Sequence, residues 1–195
     1  MAPEARERAI REAAIAVARE SGIAGLTMRT VAARAGVTPA LVAHYRPSMD
    51  AFVAEVFGTI VAAERAEVFG ALDGDAGVRE RLAAVVETLL DPGRDDVTLI
   101  WVQAWAAGAR NEELAARVRG EMDAWRQGLE AVLAQGAEAG EIPASQIGEA
   151  AWLLLAMVDG MNAHSLVGWA PDDRAALARR ALTAALDAPP PGRHR

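Results

Sequence analysis

An all-α fold is what this sequence predicts, and three observations carry the expectation. Alanine is abundant while β-branched and aromatic residues are sparse, a composition that favours helix in nearly every window. Apolar residues recur at helical spacing in successive segments. Between those segments stand Ser, Thr, Asp, Gly and Pro in the order that starts and stops helices. No strand pattern and no internal repeat interrupts the series.

The first helix is predicted over Pro3–Ser21, where Ala9, Ile10, Ala13, Ala14, Val17 and Ala18 form one apolar stripe. Ser21-Gly22 ends it. Thr27 is a suitable N-cap for a second helix, Met28–Ala35, and Gly36 follows where a left-handed C-cap residue is needed. Thr38 and Pro39 repeat the start signal for a third, short helix, Pro39–Tyr45. Two helices joined by a glycine corner make a helix-turn-helix, whose second member can enter a DNA major groove. Val37 and Leu41 are expected to be buried and to hold the crossing angle, leaving small residues outside. The same punctuation also suits a plain structural hairpin.

The run GLTMRTVAARAGVTPALVAHYRPSMDAFVAEVF, covering the end of the first connector to the fourth helix, resembles the DNA-binding half of the TetR-type transcriptional repressors. His44-Tyr45 is similar to the BetI-type branch, whose best-known member responds to choline. Where that family often has an aromatic residue, a phenylalanine and a lysine, this chain has Ala43, Arg46 and Met49. The second stretch, WVQAWAAGARNEEL followed by EAGEI, resembles the ligand-binding half of the same branch in the same order.

Length and composition set the bounds. The 195 residues suffice for a small domain plus a larger one. Cysteine is absent, which excludes disulfides, thiolate metal sites and cysteine nucleophiles. The longest apolar run, from Ala150 to Val158, is too short to span a bilayer, and no secretory signal opens the chain, so a cytoplasmic location is expected. The net charge of −7 argues against a nucleic-acid partner until its distribution is considered: residues 1–50 hold seven arginines and only five acids. Arg6, Arg8, Arg29, Arg34 and Arg46 are the cations available to face DNA. The three histidines, His44, His164 and His194, are scattered and have no helix-spaced carboxylate partners. No serine lies in a nucleophile elbow and no glycine pair follows a strand, so neither an enzyme nor a cofactor is expected.

Beyond the corner, helices are predicted over 48–72, 78–90, 95–109, 112–140 and 144–167, then a last one capped by Pro171-Asp172. Trp101 and Trp105 stand four apart on one face of the sixth helix. Trp101, Trp105, Trp125 and Trp152 are all expected to turn inward, either to fill an alanine-built core or to line a cavity. Indole faces suit a quaternary ammonium, which fits the choline-responsive branch. Asp159 and Asn162 interrupt the apolar run of the eighth helix; they either contact an effector or form buried hydrogen bonds at a subunit interface, or Asp159-Gly160 marks a bend.

Together the residues and the resemblance give a definite expectation. Residues 1–50 form a three-helix helix-turn-helix domain, 51–187 a larger helical effector-binding and dimerisation domain, and 188–195 a disordered tail. Thr27, Arg29, Thr38, Pro39, Ala40, His44, Tyr45 and Arg46 are the expected DNA contacts, with hydroxyls and charge on phosphate and Pro39, Ala40 and His44 nearer base edges. Trp101, Trp105, Trp125, Asp159 and Asn162 are expected to bind the effector. Ala151, Leu154, Val158, Leu177, Ala181 and Ala185 are expected to meet their symmetry mates in a four-helix bundle, as the family resemblance implies. The partners implied are a near-palindromic DNA duplex, a second copy of the chain and a small molecule, with no membrane. A ligand-binding helical dimer that has lost DNA binding is the alternative, suggested by the departures at Ala43, Arg46 and Met49.

Overall fold

The computed structural model describes residues 3–72 and 74–187, the side chain of Ala185 excepted. Among the described residues the chain forms nine α-helices and no strand: α1 (Pro3–Ser21), α2 (Met28–Ala35), α3 (Pro39–Tyr45), α4 (Met49–Gly70), α5 (Val78–Leu89), α6 (Asp95–Gly108), α7 (Glu112–Glu138), α8 (Ile147–Ser165) and α9 (Arg174–Asp187). Helix caps fix most of the boundaries. Ser48 Oγ accepts the Ala51 N–H at 3.1 Å, so α4 begins at Met49. The last helix starts later than Pro171-Asp172 suggests, because Asp173 Oδ1 accepts the Ala176 N–H at 2.9 Å. The segment expected as one helix over 144–167 opens as a 3-10 turn, Ala144–Gln146, before α8.

The helices assemble into two compact units that do not follow chain order. Among the described residues, the first gathers residues 3–64 with Asp95–Met122; the second gathers Arg65–Arg94 with residues 123–187. α4 and α7 each contribute to both. The boundary expected near residue 50 therefore falls inside the first unit.

In the first unit α1 packs on α2 and α6, and α2 on α3. Ile10, Val31, Val42, Val56, Phe57, Ile100 and Leu114 are fully buried and make one core. At about 25 cal/mol per Å² of apolar surface, each such side chain contributes roughly 1.5–3 kcal/mol relative to exposure. In the second unit α9 packs on α5 and α8, and Leu82, Val85, Leu129, Leu133, Ala151 and Ala178 are buried. Arg174 is also buried there, its Nε donating to the Leu90 carbonyl at 2.8 Å and so tying the start of α9 to the end of α5.

Candidate functional site

The corner between α2 and α3 is built from local chemistry. Thr27 Oγ1 accepts the Thr30 N–H at 3.1 Å, and Thr30 Oγ1 accepts the Thr27 N–H at 2.9 Å, a reciprocal capping box made by two threonines. The sequence does not mark Thr30 for this role, since such a box usually carries Glu or Gln at its far end. Gly36 adopts φ 64°, ψ 36°, and the Val37 N–H closes the end of α2 on the Ala32 carbonyl at 3.0 Å. Thr38 then caps α3, its Oγ1 accepting the Leu41 N–H at 3.3 Å.

This local frame decides what α3 presents. Thr38, Pro39, Ala40, Ala43 and His44 are exposed, while Val42 is fully buried. Val42 is the anchor, and Val37 and Leu41 are only half-buried, contrary to the expectation for that pair. The reason is rotational: with Pro39 at the first position of a two-turn helix, it is Val42 that falls beneath the α1 and α4 core. Tyr45 is half-buried and meets His44 edge-on, the ring centroids 5.3 Å apart.

The arginines near the corner divide into two sets. Arg8 and Arg29 are exposed. Arg34 is held by Glu20 through two hydrogen bonds of 2.8 and 2.6 Å. Arg46 is turned inward, with its Nη2 3.1 Å from Glu7 Oε1 and 3.3 Å from Glu55 Oε1, and its guanidinium 5.2 Å from the Phe52 ring centroid. Its side chain is 16% exposed. Two carboxylates and an aromatic face thus take the place of the phosphate expected for it.

The residues expected at the effector site fall in different units. Trp101 stands perpendicular to Phe57 with centroids 5.0 Å apart, and Trp105 lies 5.9 Å from Trp101; both pack against the first core. Trp125, Asp159 and Asn162 belong to the second unit. Trp125 is buried against Phe69 at 5.3 Å. Asn162 Nδ2 donates to the Leu89 carbonyl at 2.9 Å, while its buried Oδ1 has no hydrogen-bond partner among the described residues. Burial raises the Asp159 carboxyl to about 7.

The outer face of α8 differs from expectation. Ala151, Leu154 and Val158 are buried within the chain, because the face they share packs into their own unit. Trp152, expected inward, is 60% exposed, and Leu153 beside it is 50% exposed. Leu177 and Ala181 on α9 are exposed as well. Between α8 and the start of α9 runs a groove of about 670 Å³ lined by Met157, Gly160, Met161, His164, Trp169 and Leu177. The side chain of Ala185 and the tail from 188 to 195 lie outside the described residues.

Comparison with known proteins places this geometry. Residues 10–56 match the model of bacterial regulatory proteins of the tetR family. Residues 78–188, more than half the chain, match that of the BetI-type transcriptional repressor C-terminal region. Among curated proteins the chain is similar to the HTH-type transcriptional regulators BetI of Stenotrophomonas maltophilia, at 32% identity over 58% of this chain and 59% of that one, and of Rhizobium meliloti, at 27% over 56% and 55%. The chain thus spans little more than half the length of these relatives. Among solved structures, a transcriptional regulator from Rhodococcus sp. Rha1 superposes with a TM-score of 0.78 at 25% identity, over 92% of this chain and 95% of that one. The multidrug binding protein EbrR, complexed with proflavin, does so with 0.69 at 28% identity, over 92% and 99%. Matched at both ends by regulator families and in fold by solved regulators, the chain belongs to the TetR family of transcriptional regulators, with a C-terminal half of the BetI type.

Proposed function

We propose that the protein is a repressor that binds a near-palindromic operator as a homodimer, and that a small molecule held by its helical body lowers this affinity. The observation that carries the reading is the outward face of α3. Pro39, Ala40 and Ala43 on that face are small, so the backbone can approach base edges closely, while Val42 fixes the helix from behind. Pro39, Ala40 and His44 are the base-edge contacts. Thr27, Arg29, Thr38 and Tyr45 hold the phosphate backbone. The second copy docks on the exposed apolar face of α8 and α9, where Trp152, Leu153 and Leu177 have no cover in a single chain. Such a dimer reads half-sites about one helical turn, or a multiple, apart.

The BetI-type match and the proflavin complex of EbrR support a small-molecule effector. Trp101 and Trp105, which share one face of α6 in the first unit, are its proposed contacts. Effector binding shifts the population toward a form whose two readers no longer fit one duplex face. As a regulator that binds DNA, the protein is placed in the cytoplasm; no helix among the described residues is long and apolar enough to cross a membrane.

A mobility shift with duplex DNA from upstream of the chain's own gene tests this. A specific complex that survives competitor DNA is the expected result. Absence of any specific complex would favour the second reading, a helical ligand-binding dimer without DNA binding, which the inward turn of Arg46 supports.

A further inference from the structure

Helix α6 is joined to the reader by polar links that the DNA-binding reading does not use. At its foot, Arg19 Nη1 of α1 donates to Asp96 Oδ2 at 2.7 Å. Just past its end, Asn111 Nδ2 donates to the Asp50 carbonyl in the first turn of α4 at 3.4 Å. Its Oδ1 meanwhile caps α7 through the Leu114 N–H at 2.9 Å. Between these two points, Gln103 Oε1 accepts the Ala24 N–H at 2.9 Å. Ala24 is the middle residue of the 3-10 turn Ile23–Gly25, which leads through Leu26 and Thr27 directly into α2.

The turn is shaped around that side chain. Gly22 has φ 71°, and a Cβ built there would lie 2.3 Å from Gln103 Oε1. The left-handed backbone favours glycine here, and any side chain at this position would push the Gln103 amide aside. Two residues to either side of Gln103 stand Trp101 and Trp105. At about 100° per residue they lie on roughly the opposite side of α6 from Gln103. One face of the helix therefore carries indoles against Phe57, and the other holds the entrance to the reader.

We infer that Gln103 is a positioning residue that couples α6 to the α1–α2 corner, so that a change at the Trp101–Trp105 face is read at the DNA-binding helices. This rests on the proposed function, in which those tryptophans meet the effector. Coupling is reciprocal: DNA bound at the reader must also lower the affinity for the effector, and by this route it does so by altering the surroundings of Trp101 and Trp105. Because Ala24 is exposed, water replaces the lost acceptor when Gln103 is shortened, and the fold is retained.

The test uses the full chain labelled with 5-fluorotryptophan, the two resonances being assigned by single Trp→Phe changes, and the duplex from upstream of its own gene. In the parent, DNA shifts the fluorine resonances of Trp101 and Trp105. In Gln103→Ala the same duplex is bound within about threefold of the parent affinity, yet the two shifts collapse, while Gln103→Glu, which keeps the acceptor, retains them. Gly22→Ala, whose added carbon displaces the amide, reproduces the Gln103→Ala pattern. Amide exchange read without DNA shows Ala24 protected in the parent and released in Gln103→Ala. Shifts in Gln103→Ala equal to the parent's, or none in a parent that binds DNA, would overturn the coupling. A parent that binds no specific DNA removes the proposed function itself, a failure the mobility shift on the same samples separates from the first.

Discussion

Arg46, the C-cap residue of α3, holds Glu55 of α4 at 3.3 Å. Glu7 of α1 completes the pair of carboxylates at 3.1 Å, so the guanidinium ties the end of the recognition helix to two others. Its charge is already met. Arg46→Ala should therefore leave the slope of log K against log salt unchanged, whereas a phosphate contact would reduce it by about one. The loss should appear in stability instead, about 1–2 kcal/mol in urea unfolding, given the partial exposure of all three side chains. A slope lower by one would return Arg46 to the phosphate contacts.

Gly36 separates backbone strain from packing. A Cβ added there meets nothing within 4 Å, yet φ is 64°. Gly36→Ala should cost about 1–2 kcal/mol from the left-handed conformation alone. Gly36→Asn should cost less, since its short polar side chain tolerates that region. Chemical denaturation of both variants checks the order; equal losses would mean that strain is not the cause.

Trp101 is half-buried and stands edge-on to Phe57. Trp101→Ala should cost about 2–4 kcal/mol, toward the low end of the range for deleting a buried indole because part of the ring is exposed. Trp101→Phe, which keeps an aromatic partner for Phe57, should retain most of the stability. A negligible loss in the alanine variant would show that the indole is held for a ligand and not for the core.

Asp159 makes stability depend on pH in a direction opposite to that of a salt-bridged carboxylate. Its carboxyl is raised to about 7 by burial, against an ordinary value of about 4. Between those values the folded chain holds a proton that the unfolded chain has released. Stability from this group is therefore complete below about pH 4, declines as pH rises, and is lost above about pH 7. Asp159→Asn should melt higher than the parent at about pH 8 and converge with it near about pH 4. Parallel melting curves across that range would show that the carboxylate is solvated in the folded protein.

The exposed face of α8 gives the dimer prediction. Trp152→Glu combined with Leu153→Glu places charges where the second copy is proposed to dock, and should yield a monomer by sedimentation velocity at micromolar concentration. Far-UV circular dichroism should stay helical, because both residues are 50% or more exposed in the single chain. Ala151→Leu, by contrast, should lower stability through overpacking, because Ala151 is fully buried. A dimer that persists in the double variant would move the interface elsewhere.

What the sequence determined by itself is whatever a few neighbouring residues decide. Thr27, Gly36, Thr38 and Pro39 place α2 and α3 to the residue, because a cap bonds to an N–H or C=O within one turn of itself. The helical class and the order of the helices follow from the same local periodicity. The tertiary structure decided which side of an element faces inward wherever local pattern was ambiguous. In α8, apolar residues surround the whole helix, so nothing in the order Ala-Trp-Leu-Leu indicates that Ala151 and Leu154 turn in while Trp152 and Leu153 turn out. Long-range partners decided the rest. Arg46 reads as a free cation until Glu7 and Glu55 come from two other helices to meet it, and nothing in the sequence marks Gln103 until the turn at Ala24 folds against it.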